Sequence, residues 1–341
     1  MTYRMTHNPL LTRRSFLAGA TVAMMGGVAA LARFNEEKEK KKKAQIAITF
    51  DLEMSRMYPR RDILEWDYEK GNLDADTKNY AVQAAQIASD LGGVIHYFCV
   101  GRVLEQPNID WLKEIAALGH PIGNHTYDHV YVLAKEPDKI QFRFERAPWL
   151  IEGQPIEKVI RDNVAVTTTA LMQRANIVAD GFRTPGGFNN GIKDRPDLQD
   201  MFIDLGFSWI SSVYPPHETG VPKEEPASDV YKSIVESQNV SQPFVYPNGL
   251  IEIPMSAISD VGAFRSNYWK LDWFLKAVRL SVERAIETGG VYDFLCHPSC
   301  MLVEDPGFET VKLICQLVKD AGDKAEIVGL SKIAERVKEA T

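Results

Sequence analysis

A chain of 341 residues that is 45% hydrophobic and 25% charged is long enough for one large domain or two ordinary ones, with ample apolar material for a core. Its formal charge of −7 conceals an asymmetry: residues 1–32 hold Arg4, Arg13 and Arg14 and no acid, so the remainder carries −10. An acidic body without a basic face excludes nucleic acid and anionic lipid as the main partner, since that binding draws on Lys and Arg releasing counterions. Four cysteines, Cys99, Cys296, Cys300 and Cys315, are too few and too irregularly spaced for a disulfide scaffold, and none forms a CxxC zinc motif.

At the N-terminus, Thr12-Arg13-Arg14-Ser15-Phe16-Leu17 sets paired arginines before an apolar, Ala- and Gly-rich run to Ala32, and Ala30-Leu31-Ala32 offers small residues for cleavage. Residues 1–32 therefore resemble a twin-arginine signal, and a periplasmic or extracytoplasmic location is expected. The run is shorter than the ~20 residues that span a bilayer comfortably, so no membrane span is expected in the mature protein. Residues 33–44, with the charge run NEEKEKKKK, read as a solvated linker.

From residue 45 to 341 a single domain is expected, built from short strand-like segments alternating with longer helical ones. Gln45–Asp51, Val94–Val100, Pro121–His125, Ala179–Arg183, Ser208–Ser212, Leu250–Met255, Val291–Cys296 and Ala325–Val328 predict strands. Apolar residues at three- and four-residue intervals predict helices over Thr77–Leu91, Asn108–Leu118, Pro155–Ala175, Pro196–Leu205, Leu271–Thr288 and Gly307–Asp320. The alternation gives an α/β fold, an irregular (β/α) barrel of about seven to eight strands, with chemistry expected at the C-terminal strand ends. Two long connections break the pattern. Leu52–Asp76, with Arg56, Tyr58, Arg60, Arg61, Trp66 and Tyr68, is expected to wall a cleft, and Val213–Gly249, with His217, to form a lid or surface excursion.

Four strand ends carry candidate chemistry. Gly123-Asn124-His125-Thr126-Tyr127-Asp128-His129 sets two imidazoles four residues apart, and a helical turn across 126–128 would bring them together on one ion. Asp128, between them, could orient one ring. Thr49-Phe50-Asp51-Leu52-Glu53 places Asp51 and Glu53 on one face if the strand persists, so that one could ligate a metal and the other take a proton from water. Gly181-Phe182-Arg183-Thr184-Pro185-Gly186-Gly187 offers Arg183 to a carboxylate, then a sharp turn that brings backbone N–H groups near a ligand. In Tyr292-Asp293-Phe294-Leu295-Cys296-His297-Pro298, His297 could serve as general acid, with Asp293 on the same strand face.

TFDLE, HTYDH, RTPGG and FLCHPS, in this order and each at a strand end, resemble the successive motifs of the polysaccharide deacetylase family, the NodB-like or family 4 carbohydrate esterases. The likeness covers about residues 45–330, and His96-Tyr97-Phe98-Cys99-Val100-Gly101 is similar to the family's second strand. It implies a NodB-like barrel and a divalent metal held by an acid and two histidines, matched here by Glu53, His125 and His129. Zinc is the ion implied first, with cobalt or nickel as alternatives. Asp51 matches the family's base, Arg183 the residue that orients it and His297 the acid for the departing amine. By the same likeness the Gly186 peptide N–H would be an oxyanion donor, and Trp209 is assigned to substrate binding. Two departures stand out: Leu52 occupies the place of a second aspartate, which puts Glu53 forward as ligand, and Ile210 in LGFSWISS replaces an acid, leaving His297 without its usual carboxylate unless Asp293 substitutes.

The implied function is an exported, metal-dependent hydrolase that removes N-acetyl groups from a glycan such as peptidoglycan or an exopolysaccharide. Two alternatives are an amidohydrolase for small cyclic or linear amides, which need not use a metal, and a catalytically inactive glycan-binding module.

Overall fold

Strand β1 (Ala44–Leu52), enclosed along its whole length, is the centre of the fold. Its side chains alternate: Ile46, Ile48, Phe50 and Leu52 enter the large apolar cluster under the outer helices, whereas Ala47, Thr49 and Asp51 face the other side. The structure, a computed structural model, describes residues 42–54 and 70–341. The signal and most of the charged linker, and the loop residues Arg56, Tyr58, Arg60, Arg61, Trp66 and Tyr68, lie outside the described residues.

After β1 come α1 (Ala75–Asp90), β2 (Ile95–Cys99), α2 (Asp110–Ala117), β3 (Ile122–Asn124), α3 (Phe142–Arg146), α4 (Ile156–Ala170) and β4 (Phe182–Phe188). Then follow α5 (Pro196–Asp204), β5 (Trp209–Val213), α6 (Ser228–Glu236), β6 (Phe244–Val245) and β7 (Ile251–Glu252). The chain ends with α7 (Leu271–Thr288), β8 (Val291–Cys296), α8 (Pro298–Glu304), α9 (Glu309–Ala321), β9 (Ala325–Ile327) and α10 (Leu330–Ala340). The sheet order is β6-β7-β5-β4-β3-β2-β1-β8, with β9 also on β1, and all described pairings are parallel except β6 with β7. Where β7 and β8 leave the curled sheet open, Ser256 bridges: its N–H donates to the Asp293 carbonyl (2.9 Å) and its Oγ accepts from the Asp293 N–H (3.0 Å). The result is the irregular (β/α) barrel expected from the alternation, of the NodB-like kind that the resemblance implied, and Lys43–Thr341 form one compact unit.

Local chemistry explains the element ends. Asp74 caps α1 by accepting from the Thr77 N–H (2.7 Å), and Thr77, Tyr80, Ala81, Ala84, Ala85 and Ala88 line its buried face. The bottom of the barrel, at the N-terminal strand ends, is plugged by Ala47, Phe98, Trp209, Ile251, Ile253, Val291 and Leu330.

The differences from the expected elements have physical causes. Strand β4 begins at Phe182 rather than Ala179, because Gly181 adopts φ +75° and a Cβ there would lie 1.9 Å from the Trp209 ring. The helix expected to reach Ala175 changes to a π turn at Leu171–Ala175 and stops at Asn176, in the left-handed conformation. The long connection 213–249 is no simple excursion: it contains α6, whose Val230, Tyr231 and Ile234 join the main core. Among the described residues no helix is long and apolar enough to cross a membrane.

Candidate active site

Around the ends of β1, β3 and β8 and the first residues of β4 the chain assembles Asp51, Glu53, His125, His129, Arg183, Asp293 and His297, all buried except the partly exposed His129. Burying so many ionisable groups is tolerable only if each has a partner.

Arg183 is fully enclosed and organises the floor. One of its terminal nitrogens donates to Thr49 Oγ1 (2.6 Å) and Asp51 Oδ1 (3.3 Å), the other donates to Asp293 Oδ2, and Nε reaches Ser211 Oγ (3.3 Å). Its guanidinium lies 4.4 Å from the centre of the Phe98 ring. The close approach of that ring explains Gly123, where a Cβ would sit 2.6 Å from Phe98. Asp293 accepts from Thr49 Oγ1 as well (2.8 Å). Burial pushes its carboxyl up to about 6 against the pull of Arg183 and Thr49.

The two histidines meet by a route other than the expected helical turn. Thr126 and His129 both take positive φ, +59° and +60°, an uncommon backbone for such residues. Side chains and neighbouring loops hold the turn: Asn124 Oδ1 accepts from the Thr126 N–H (2.9 Å), Thr126 Oγ1 from the Val130 N–H (3.0 Å), and Asn163 Oδ1 from the Asp128 N–H (2.8 Å). The two imidazole centres are then 5.1 Å apart. Asp128 orients neither ring; its carboxylate pairs with Arg143.

His125 Nδ1 donates to the Arg183 carbonyl (2.9 Å), which leaves Nε2 as the acceptor, buried and without a hydrogen-bond partner. That nitrogen stands 3.4 Å from Glu53 Oε2 and 3.7 Å from Asp51 Oδ2. His129 Nε2 contacts the same Glu53 oxygen. One ligand atom from each of Glu53, His125 and His129 lies within 4.8 Å of the others. An orphaned imidazole nitrogen facing a carboxylate and a second imidazole is a donor set that fits a divalent metal. Burial alone would raise the Glu53 carboxyl, but the neighbouring His129 and Lys70 hold it well below the ordinary carboxylate range. Burial draws His129 down to about 4 against the pull of Glu53.

Two residues of this cluster were not legible as site residues. Asp260 supplies the carboxylate that His297 lacked: its Oδ1 pairs with ring Nδ1 (2.9 Å) and its Oδ2 accepts from the His297 N–H (2.7 Å). Asp293, the substitute considered from sequence, is committed to Arg183 and Thr49 instead. Burial alone would lower His297, yet Asp260, Glu53 and Asp51 raise it to about 9. Its Nε2 looks toward Glu53 Oε1 at 3.5 Å. Lys70 is the second such residue, with Nζ 2.5 Å from Glu53 Oε1. Only three-dimensional proximity marks either one, since Asp260 is 37 residues from His297 and Lys70 is 17 from Glu53.

The remaining candidates divide. Gly186 lies exposed at φ +74° beside the cluster's strand end, with its carbonyl accepting from Thr184 Oγ1 (2.7 Å). Trp209 is a correction. It starts β5 rather than ending it, is 3% exposed, donates from Nε1 to Ser331 Oγ (3.0 Å), and packs edge-on to His96 and Phe98. It closes the bottom of the barrel and does not face the cluster. His217 hydrogen-bonds the Pro215 carbonyl (2.9 Å) in its own loop. Cys296 and Cys300 are enclosed, and burial pushes both thiols well up, as inert core residues.

Comparison with known proteins gives this arrangement a family. Residues 38–192 match the family described as polysaccharide deacetylase. Over that segment the chain is similar to the polysaccharide deacetylases. It is a hydrolase of the kind that acts on carbon–nitrogen amide bonds. No curated protein matches the sequence. Among solved structures, a protein of Mycobacterium smegmatis assigned as a polysaccharide deacetylase superposes with a TM-score of 0.58 at 17% identity, covering 89% of this chain and 92% of that one. One of Pseudomonas aeruginosa PAO1, so assigned, gives 0.58 at 13% identity over 86% and 91%. The Puue allantoinase gives 0.55 at 13% identity over 89% and 92%. At such identities these likenesses concern the fold alone, so the chemistry of the site is argued from its own residues.

Proposed function

We propose that this deacetylase is an exported, metal-dependent hydrolase that removes N-acetyl groups from a glycan, with peptidoglycan or an exopolysaccharide as the substrate class. The observation that carries the reading is the convergence of Glu53 Oε2 with the Nε2 atoms of His125 and His129, the first of them buried without a hydrogen-bond partner. Those three residues would hold the ion, zinc before cobalt or nickel. When bound, a divalent ion lowers the pKa of water from about 15.7 to about 7 and polarises the amide carbonyl.

Asp51, anchored on one oxygen by Arg183, takes the proton of the attacking water with the other. Arg183 holds Asp51 and Asp293 together through Thr49, so that the base cannot rotate away. His297, an imidazolium at neutral pH, donates from Nε2 to the departing nitrogen while Asp260 fixes its ring. The Gly186 peptide N–H supplies a donor for the developing oxyanion. Acidity of the body suits a neutral sugar polymer better than a polyanion.

Incubation with N-acetylglucosamine oligomers tests the reading: wild type releases acetate, and Asp51→Asn binds the oligomer without turnover. Oligomer binding without acetate release by wild type would instead make the protein a glycan-binding module. Export is tested by Arg13→Lys with Arg14→Lys, which should retain the uncleaved precursor in the cytoplasm. One observation favours a second reading, metal-free hydrolysis of small amides: Lys70 already places a cation on Glu53. Turnover of small cyclic amides that persists in chelator would select it.

A further inference from the structure

We propose that Lys70 is a built-in counter-cation for Glu53, a positioning residue that aims this carboxylate at His125 and His129 before a divalent ion arrives and that lowers the affinity for the ion. The inference rests on the metal-site reading above and concerns a residue outside the motifs that carry that reading. The Lys70 side chain is completely enclosed, and its Nζ lies 2.5 Å from Glu53 Oε1. The next residue grips the same glutamate by its backbone, for the Gly71 N–H donates to the Glu53 carbonyl (2.5 Å). Gly71 has φ +84°, and a Cβ there would lie 2.4 Å from Arg102 Cβ, so only glycine permits that approach. Gln106 Nε2 in turn donates to the Gly71 and Leu73 carbonyls (3.2 and 3.3 Å). Glu53 is thus held at its main chain and at one carboxylate oxygen, and the other oxygen is presented to the two imidazoles.

The pairing of charges gives the arrangement its consequence. Arg183 serves Asp51 and Asp293, His297 serves Asp260, and Lys70 serves Glu53. Each of these buried carboxylates therefore has a cation without any metal. A buried carboxylate left alone costs several kcal/mol, so the metal-free site is stabilised by Lys70. A divalent ion on Glu53 Oε2 adds like charge beside the ammonium on Oε1, and this repulsion is strong in a buried site. The Glu53 carboxylate spans Lys70 on Oε1 and the two histidines on Oε2.

Titration calorimetry with Zn²⁺ on the purified full chain tests this, using wild type, Lys70→Met, Lys70→Gln, Lys70→Arg and His125→Ala. Both neutral variants are expected to bind zinc about tenfold or more tightly than wild type, and Lys70→Arg within about threefold of it, because only charge distinguishes the sets. Zinc-free Lys70→Met should melt below wild type and gain more on zinc addition. Neutral variants that bind zinc equally or more weakly overturn the proposal, since a packing role alone would weaken binding. A neutral variant that folds only with zinc supports it, and one that zinc does not rescue overturns it. Loss of zinc binding in His125→Ala separates this outcome from failure of the metal site itself. If zinc binds to none of the folded proteins, or binds equally well to His125→Ala, both readings fall.

Discussion

Asp260→Asn isolates the electrostatic control of the proposed acid, because it preserves shape and removes one charge. Asp260 holds His297 at ring Nδ1 and at the backbone N–H. Burial by itself would lower the imidazole below its ordinary 6.5, and Asp260, ahead of Glu53 and Asp51, brings it to about 9. At about 1.4 kcal/mol per unit, that lift corresponds to roughly 3 kcal/mol of preference for the imidazolium. With Asn the midpoint should fall by two units or more, as read by NMR titration of the His297 ring in zinc-free protein. Acetate release near neutral pH should drop by about 10²–10⁴, the usual worth of a general acid, and the alkaline limb of kcat should move to lower pH. The stability linkage has a definite sign. A raised folded-state pKa contributes stability that is complete below 6.5 and is lost as pH rises through about 9, so the stability gap between wild type and variant should close in that window. An unchanged His297 midpoint, or an unchanged alkaline limb, would refute the assignment of Asp260 as its partner.

Arg183→Met leaves Asp51 and Asp293 without their cation and should cost about 3–5 kcal/mol in denaturant unfolding, with acetate release lost as well; a loss below about 1 kcal/mol would mean that the floor network is not what holds the two acids. Trp209→Ala should destabilise by about 3–5 kcal/mol while leaving the KM for oligomers unchanged, as befits a core residue; a raised KM with intact stability would return it to substrate binding. His96 accepts from the Leu330 N–H at Nδ1, contacts the Asp180 carbonyl through Nε2, and is brought down by burial to about 4. Its depressed pKa means stability is lost as pH falls from 6.5 toward 4, by about 1.4 kcal/mol per unit, and His96→Phe should flatten that slope in urea titrations.

The sequence carried the strand ends because alternation and motif order are local properties. Glu53, one residue past the end of β1, keeps the two-residue period that sets it beside Asp51, and His297, one residue past β8, keeps the period of Asp293. What stayed hidden depends on distant segments meeting. Asp260 reaches His297 from the cap of a short π turn, Val261–Ser266, that no periodicity announces, and Lys70 returns to Glu53 after a long connection. The meeting of His125 and His129 was legible, but its path through two left-handed residues was not, since Thr is a poor predictor of positive φ. Trp209 misled because an aromatic residue beside a strand start looks the same whether it plugs a barrel floor or lines a cleft. The direction of the strand decides, and the floor is the end where Trp209 lies.

In the proposed function, acetate release depends on a metal held by Glu53, His125 and His129. Acetate release from N-acetylglucosamine oligomers, measured before chelation, after removal of metal and after addition of one equivalent of Zn²⁺, tests it most directly. The account predicts release that disappears with the metal and returns with zinc in wild type, with no return in His125→Ala. Release that continues at the original rate after the metal has been stripped would contradict it.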